Sequence, residues 1–222
     1  MPCYGWWLKP DRTQPPSWAS LVCAPEHGAW WRVGRLLTSS AMSDTAADLV
    51  ARAARAKREH RLADARRDVM RAIDVLRQQH NAIELAGALR LLAEVERKSG
   101  DGPSARRHYE EAVGLCRQHG DSLVLAHTVR HLGDVHQQAG RADLAEPCYE
   151  EALNLYRARS DAAPLDLANV IRSMAVLKDN TGDIAEVKVL WQQARDLYTQ
   201  VNVADGVAES SARLARLADR QS

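Results

Sequence analysis

The sequence of 222 residues contains no phenylalanine, and it has no long hydrophobic run. Because a membrane-spanning helix needs about 20 consecutive apolar residues, we do not expect an integral membrane protein. We do not expect a signal peptide either, since Lys9, Asp11 and Arg12 interrupt the apolar start of the chain. The four cysteines are widely spaced and form no Cys-x-x-Cys pair, which argues against a zinc framework and a disulfide scaffold. These absences favour a reducing, cytoplasmic location.

The aromatic residues that are present divide the chain into two unlike parts. Five of the six tryptophans and five of the eight prolines fall in the first 31 residues, whereas Ala, Leu and Arg dominate after Met42. We interpret residues 1–41 as a poorly ordered N-terminal extension and residues 42–222 as one repeat domain. Met42–Asp44 would supply a natural start followed by a helix N-cap. The alternative is that the Trp30–Trp31 pair docks on the open face of the first repeat.

The second part contains an internal repeat with a period of about 40 residues. Gly100, Gly140 and Gly182 mark equivalent positions, and apolar, small and aromatic columns recur around them in step. Three of these columns are Leu92/Leu132/Met174, Ala93/Gly133/Ala175 and Tyr109/Tyr149/Trp191. Apolar residues three and four positions apart predict two amphipathic helices in each unit. Each glycine stands where the end of a helix favours a left-handed residue.

These columns resemble the tetratricopeptide repeat family over residues 44–219. The resemblance rests on a Leu or Met with a small residue, a turn glycine, and an Ala, aromatic and Ala series on the second helix. The period is longer than the one most common in the family, which is about 34 residues. The resemblance implies an all-α fold, a right-handed superhelix of helical pairs. It also implies a non-enzymatic scaffold or interaction module, which binds a protein or peptide segment in a groove lined by the first helices.

Both ends of the repeat region deviate from the pattern in the way that terminal repeats do. His60 stands one repeat length before Gly100, and Ala53, Ala65 and Val69 keep the apolar columns there. After residue 206 the first-helix pattern occurs once more and the chain stops. We therefore predict four helical pairs and a C-terminal capping helix, nine helices in total.

No catalytic or cofactor motif is present, so we expect no enzyme and no cofactor. An arginine stands ten residues before each turn glycine, which predicts a ladder on the groove that suits an acidic peptide. The alternative is a solvated face whose arginines pair with Glu94 and Asp134, four residues further on. The predicted peptide-binding residues are Arg90, Glu94, His127, Arg130, His131, Asp134, Asn169, Arg172 and Ser173.

Two other readings of these polar residues remain open. His127, His131 and Asp134 share a helix face at a spacing suited to metal ligands, so a metal-dependent activity is one alternative function. Self-association of the repeats is another. The basic stretch 52–71 carries eight basic residues against three acidic ones, but it lacks interleaved aromatics. We therefore expect an unknown protein or peptide partner, and neither nucleic acid nor a membrane.

Overall fold

The computed structural model of the chain describes residues 44–179 and 184–219, which form nine α-helices and no β-strand. The predicted extension 1–41, the start at Met42 and the turn at Gly182 lie outside these residues. None of the described helices has the length and hydropathy of a membrane span. The helices are α1 (Ala46–Arg58), α2 (Leu62–Gln78), α3 (Ala82–Lys98), α4 (Gly102–His119), α5 (Ser122–Gln138), α6 (Ala142–Arg157), α7 (Pro164–Lys178), α8 (Ile184–Gln200) and α9 (Ala204–Asp219).

The helices stack in sequence order as four pairs followed by the single helix α9. Each helix packs against the next one along the chain, and α1 also contacts α3 as α5 contacts α7. The prediction of an all-α superhelix with a C-terminal capping helix is therefore confirmed. The first helices of successive pairs lie side by side, as in other stacked repeats. We call the surface formed by α1, α3, α5 and α7 the groove face.

The start of α1 differs from the sequence prediction. The N-cap is Thr45 and not a residue of Met42–Asp44, because Thr45 and Asp48 form a reciprocal capping box. The Thr45 hydroxyl accepts from the backbone N–H of Asp48, and the Asp48 carboxylate accepts from the backbone N–H of Thr45. Two backbone donors that a helix leaves unpaired are satisfied in this way.

The turns inside the pairs have the predicted left-handed residue. Gly100 and Gly140 have φ angles of +83° and +72°, and His60 takes the same place in the first pair with φ +59°. Glycine reaches this region without steric penalty, whereas a residue with a Cβ atom is strained there. The repeat length, counted back from Gly100, thus identified a turn that residue type alone would not indicate.

The core between the helices consists of small residues packed against aromatic rings. Tyr109, Tyr149 and Trp191 are fully buried, as are Ala93 and Ala175 of the small column. At Gly133 an added Cβ atom would lie only 2.7 Å from Cε1 of Tyr149. The small column therefore lets the first helix approach the aromatic ring of the second.

Ion pairs link the second helices of neighbouring pairs on the opposite side of the stack. Arg77 of α2 bonds to Glu111 of α4, and Arg117 of α4 bonds to Glu151 of α6, each at 2.8 Å. Both pairs join residues 34 positions apart in the chain. All four side chains are partly exposed, so each pair adds at most about 1 kcal/mol. The two pairs therefore join equivalent positions of successive second helices.

Candidate functional site

All nine residues predicted for peptide binding lie on the groove face. Arg90 and Glu94 lie on α3, and His127, Arg130, His131 and Asp134 lie on α5. Asn169, Arg172 and Ser173 lie on α7. Six of them line one polar pocket of about 320 Å³ between α5 and α7: Arg130, His131, Asp134, Asn169, Arg172 and Ser173. The structure thus brings together residues that the sequence places in two different repeats.

Asp134 is the hydrogen-bonding centre of this pocket. Its Oδ2 accepts from Nη1 of Arg130 at 3.1 Å and from Nδ1 of His131 at 3.0 Å. Its Oδ1 lies 3.0 Å from the Tyr149 hydroxyl and accepts from the Ser173 hydroxyl at 3.2 Å. Burial opposes the charged form of Asp134, but the His131 hydrogen bond and the Arg130 charge outweigh it and keep its pKa below the ordinary value. Asp134 therefore ties α5 to α6 and α7.

The three arginines of the predicted ladder have different environments. Arg130 is 9% exposed, and besides Asp134 its Nη2 lies 2.7 Å from Nε2 of His131. Arg172 makes two hydrogen bonds to the Glu209 carboxylate of α9, at 2.6 and 2.8 Å. Arg90 makes no hydrogen bond or ion pair with another described residue. The internal pairing considered as the alternative is thus present for Arg130 within its repeat and for Arg172 between repeats, but not for Arg90 among the described residues.

The stacking of the repeats explains this difference. On the groove face Lys57 pairs with Glu94, and Arg172 pairs with Glu209, in both cases 37 residues further along the chain. The same step leads from Arg90 to His127, which offers no carboxylate. The guanidinium of Arg90 raises the electrostatic cost of charging His127. Within the described part of the chain Arg90 therefore meets no acid at this position, because the next repeat has an imidazole where the capping helix has an acid.

A second, largely apolar pocket lies beside Arg90. It has a volume of about 520 Å³ and opens between α1 and α3. Its charged groups come from two basic residues, Lys57 and Arg90, and two acidic ones, Glu84 and Glu94. Its walls consist mainly of small and aliphatic residues, among them Val50, Ala51, Ala54, Gly87, Ala88 and Leu91. An added Cβ atom at Gly87 would meet nothing within 4 Å, so the pocket is open at that point. Sequence reasoning missed this pocket, because its two walls come from different repeats.

The two histidines of α5 lie at the boundary between the second and third pairs. Their rings meet edge to face with centroids 4.7 Å apart. Burial, together with the nearby His131, Arg90 and Arg130, lowers the pKa of His127 to about 3. Burial also lowers the pKa of His131, although the hydrogen bond to Asp134 opposes the shift. Both rings are therefore neutral near pH 7.

The metal-ligand set expected from the sequence is not the set that the structure assembles. The Asp134 carboxylate contacts Nδ1 of His131, and it also lies within hydrogen-bond distance of Arg130, Tyr149 and Ser173. These contacts use its oxygen atoms within the protein. Glu94 of the preceding repeat lies instead beside both histidines, and the three residues each offer a ligand atom within 4.8 Å of the others. Glu94 of α3 thus takes the place that the sequence analysis assigned to Asp134 of α5.

The described residues thus form an α-helical repeat solenoid with a polar groove face. The family model for the tetratricopeptide repeat matches residues 84–158, so this part of the chain, from α3 to the end of α6, is similar to that family. Such repeats generally mediate protein–protein interaction, and the family typically provides non-enzymatic interaction modules. No sequence among the curated proteins matches this chain.

Solved structures share the fold at low sequence identity. BtubC (BKLC) from P. vanneervenii matches with a TM-score of 0.61 and 17% identity, over 79% of this chain and 80% of that one. A chain of the APC/C hetero-tetramer Cut9–Hcn1 matches with a TM-score of 0.63 and 15% identity. That match covers 79% of this chain but only 30% of the other. At these identities the likeness concerns the fold alone.

Proposed function

We propose that this chain is a non-enzymatic interaction module that binds an acidic segment of a partner protein on its groove face. The observation that carries the proposal is the guanidinium of Arg90, which lies at a largely apolar pocket and makes no hydrogen bond or ion pair with another described residue. An arginine can bind a carboxylate with two parallel hydrogen bonds, and within the described part of the chain no hydrogen-bonded acid has to be displaced from Arg90. A carboxylate of the partner therefore gains a strong hydrogen-bonding site.

The pocket beside Arg90 favours a ligand that has an apolar side chain next to a negative charge. Its volume of about 520 Å³ falls within the range of ordinary ligand pockets, and its walls are mostly Ala, Gly and aliphatic carbon. An aliphatic or aromatic side chain buried there would gain about 1.5–3 kcal/mol. The proposed ligand has such a side chain next to an Asp, a Glu or a terminal carboxylate.

In this proposal Arg130 and Arg172 do not bind the ligand in the way expected for a ladder of three unpaired arginines. Their internal carboxylate partners, Asp134 and Glu209, would compete with an acidic ligand. The polar pocket that they line offers the Asn169 and Ser173 side chains for specificity further along the groove. We place the main anionic anchor at Arg90 and the secondary contacts at α5 and α7.

The basic stretch 52–71 gives little support to nucleic-acid binding. Arg52 pairs with Asp44 and Asp68, and Arg61 pairs with Glu59 and Asp64. Many of its charges are therefore balanced locally, as expected for a solvated terminal repeat. The absence of nucleic-acid and membrane partners, and the cytoplasmic location, stay predictions, and self-association remains the alternative mode of interaction.

A peptide-display selection on the purified full chain tests the proposal. We expect enriched peptides to carry an acidic residue next to an apolar one, and Arg90→Ala to weaken their binding at least tenfold. Gly87→Leu should also block binding, because its side chain would project into the pocket. The matched control is Gly114→Leu on α4, where the added side chain also finds open space but lies off the groove face. Equal affinities for Gly87→Leu, Arg90→Ala and the original chain would refute the assignment.

A further inference from the structure

We infer that Glu94, His127 and His131 form a binding site for one transition-metal dication of the zinc class, which bridges helices α3 and α5. The inference concerns metal binding and not a reaction, and it does not depend on the proposed peptide. One carboxylate and two imidazoles form a ligand set typical of zinc sites that keep a fourth position open.

The spacing of the three ligand atoms carries the inference. They all lie within 4.8 Å of one another, and they come from two neighbouring repeats. In a tetrahedral zinc site with bonds of 2.0–2.2 Å the ligand atoms stand about 3.4 Å apart. Side-chain rotations that move each atom by about 1 Å therefore close the site. Among the described residues no other group of three His, Cys, Asp or Glu side chains meets this condition.

A carboxylate already orients one of the imidazoles as a metal site requires. Nδ1 of His131 donates to Oδ2 of Asp134 at 3.0 Å, so its Nε2 is the unprotonated ring nitrogen. Nη2 of Arg130 lies 2.7 Å from that Nε2. Because a guanidinium N–H can only donate, this short distance is consistent with an unprotonated Nε2 that accepts the hydrogen bond. Metal-bound histidines generally donate their other ring N–H to such a carboxylate or carbonyl. Nδ1 of His127 lies 3.9 Å from Asp166 of α7, a looser version of the same arrangement.

The exposure of the three side chains also suits a metal. The side chains of Glu94, His127 and His131 are 20%, 30% and 13% exposed. The site is thus sheltered by the helices and reachable from the groove.

Three cations surround the site and determine how it responds to substitution. Lys57 of α1 forms an ion pair with Glu94, and Arg130 occupies Nε2 of His131. Arg90 of α3 also acts on both Glu94 and His127. A metal ion would compete with Lys57 for the carboxylate and with Arg130 for Nε2 of the His131 ring. Removing the lysine should therefore strengthen metal binding, whereas removing a ligand should weaken it.

Titration calorimetry of the metal-free full chain with Zn²⁺ tests the site, with circular dichroism to check folding. We expect one site whose Kd rises at least tenfold in Glu94→Gln and in His127→Ala, and falls severalfold in Lys57→Met. His119→Ala removes an exposed histidine elsewhere and is the matched control, with an unchanged Kd. Co²⁺ should give the strong visible absorption of a tetrahedral site in the original chain and lose it in His127→Ala. Absent Zn²⁺ binding, or Kd values that Glu94→Gln, His127→Ala and Lys57→Met leave unchanged, would overturn the inference.

Discussion

The close contact between Gly133 and Tyr149 leads to a prediction about two glycine substitutions on the groove helices. In an open helical position, replacing glycine by alanine stabilises a protein by about 0.5–1 kcal/mol. Gly87 of α3 is such a position, because its added Cβ would meet nothing within 4 Å. Gly87→Ala should therefore raise the free energy of unfolding by about that amount.

At Gly133 the same substitution should have the opposite effect. The new Cβ would lie 2.7 and 2.9 Å from two ring atoms of Tyr149, and 3.2 Å from Cβ of Cys148. Carbon atoms pack at about 3.5–4.0 Å, so the ring must retreat by about 1 Å. Tyr149 is fully buried, and its hydroxyl lies within hydrogen-bond distance of Asp134 and Gln137. Overpacking of this kind costs about 1–3 kcal/mol, which after the gain from the helix propensity of alanine leaves a net loss of up to about 2.5 kcal/mol.

Urea unfolding of the full-length variants, followed by far-ultraviolet circular dichroism, measures both effects. We expect the midpoint to rise for Gly87→Ala and to fall for Gly133→Ala. Ala93 packs in the equivalent column of the preceding pair beside Tyr109, so alanine is compatible with the fold when the ring lies further away. Tyr149→Phe, which frees the ring from its hydroxyl partners, should therefore reduce the penalty at Gly133. A Gly133→Ala protein as stable as Gly87→Ala would show that Tyr149 is not fixed as we describe.

Three further predictions follow from single residues. Pro147 lies inside α6 and cannot donate to the carbonyl four residues earlier, so Pro147→Ala should stabilise the protein by about 1–3 kcal/mol in urea unfolding; an unchanged midpoint would contradict this. His60 has a positive φ angle, and His60→Gly should raise the thermal midpoint through a gain of about 1 kcal/mol, whereas a lower midpoint would show that the turn is unstrained. The lowered pKa of His127 means that the unfolded chain binds a proton between pH 6.5 and about 3 while the folded chain does not. Stability should thus fall as the pH drops through this window, by at most about 1.4 kcal/mol per unit from this ring, and His127→Gln should flatten the slope; parallel pH curves for the two proteins would refute it.

The repeat made most of the fold predictable from the sequence. Columns of apolar and small residues identify which helix faces are buried, and the step between glycines places the turns, including the one at His60. The beginning of α1 was less predictable, because several polar residues near Met42 can cap a helix. Only the backbone geometry shows that Thr45 and Asp48 satisfy each other.

The groove residues were predictable as a set, but their partners were not. Helical periodicity relates His131 to Asp134 on one helix, but it does not relate His131 to Glu94 on the helix before. Neighbouring first helices are shifted along one another, so contacts join residues 37 positions apart, which is less than one full repeat. Applied to the sequence, that shift would have indicated that Glu209 pairs with Arg172 and that the residue 37 positions after Arg90 is a histidine, not an acid.

The ion pairs between second helices have a consequence for how such a chain can grow. Glu111 and Arg117 lie in the same helix, so one repeat unit carries the acid that receives the previous unit and the arginine that engages the next. A second copy of residues 81–120 inserted after Gly120 would place a new Glu111 34 residues beyond the original Arg117, the separation found in both existing pairs. Tandem duplication would therefore reproduce the ion pair between second helices at the new junction.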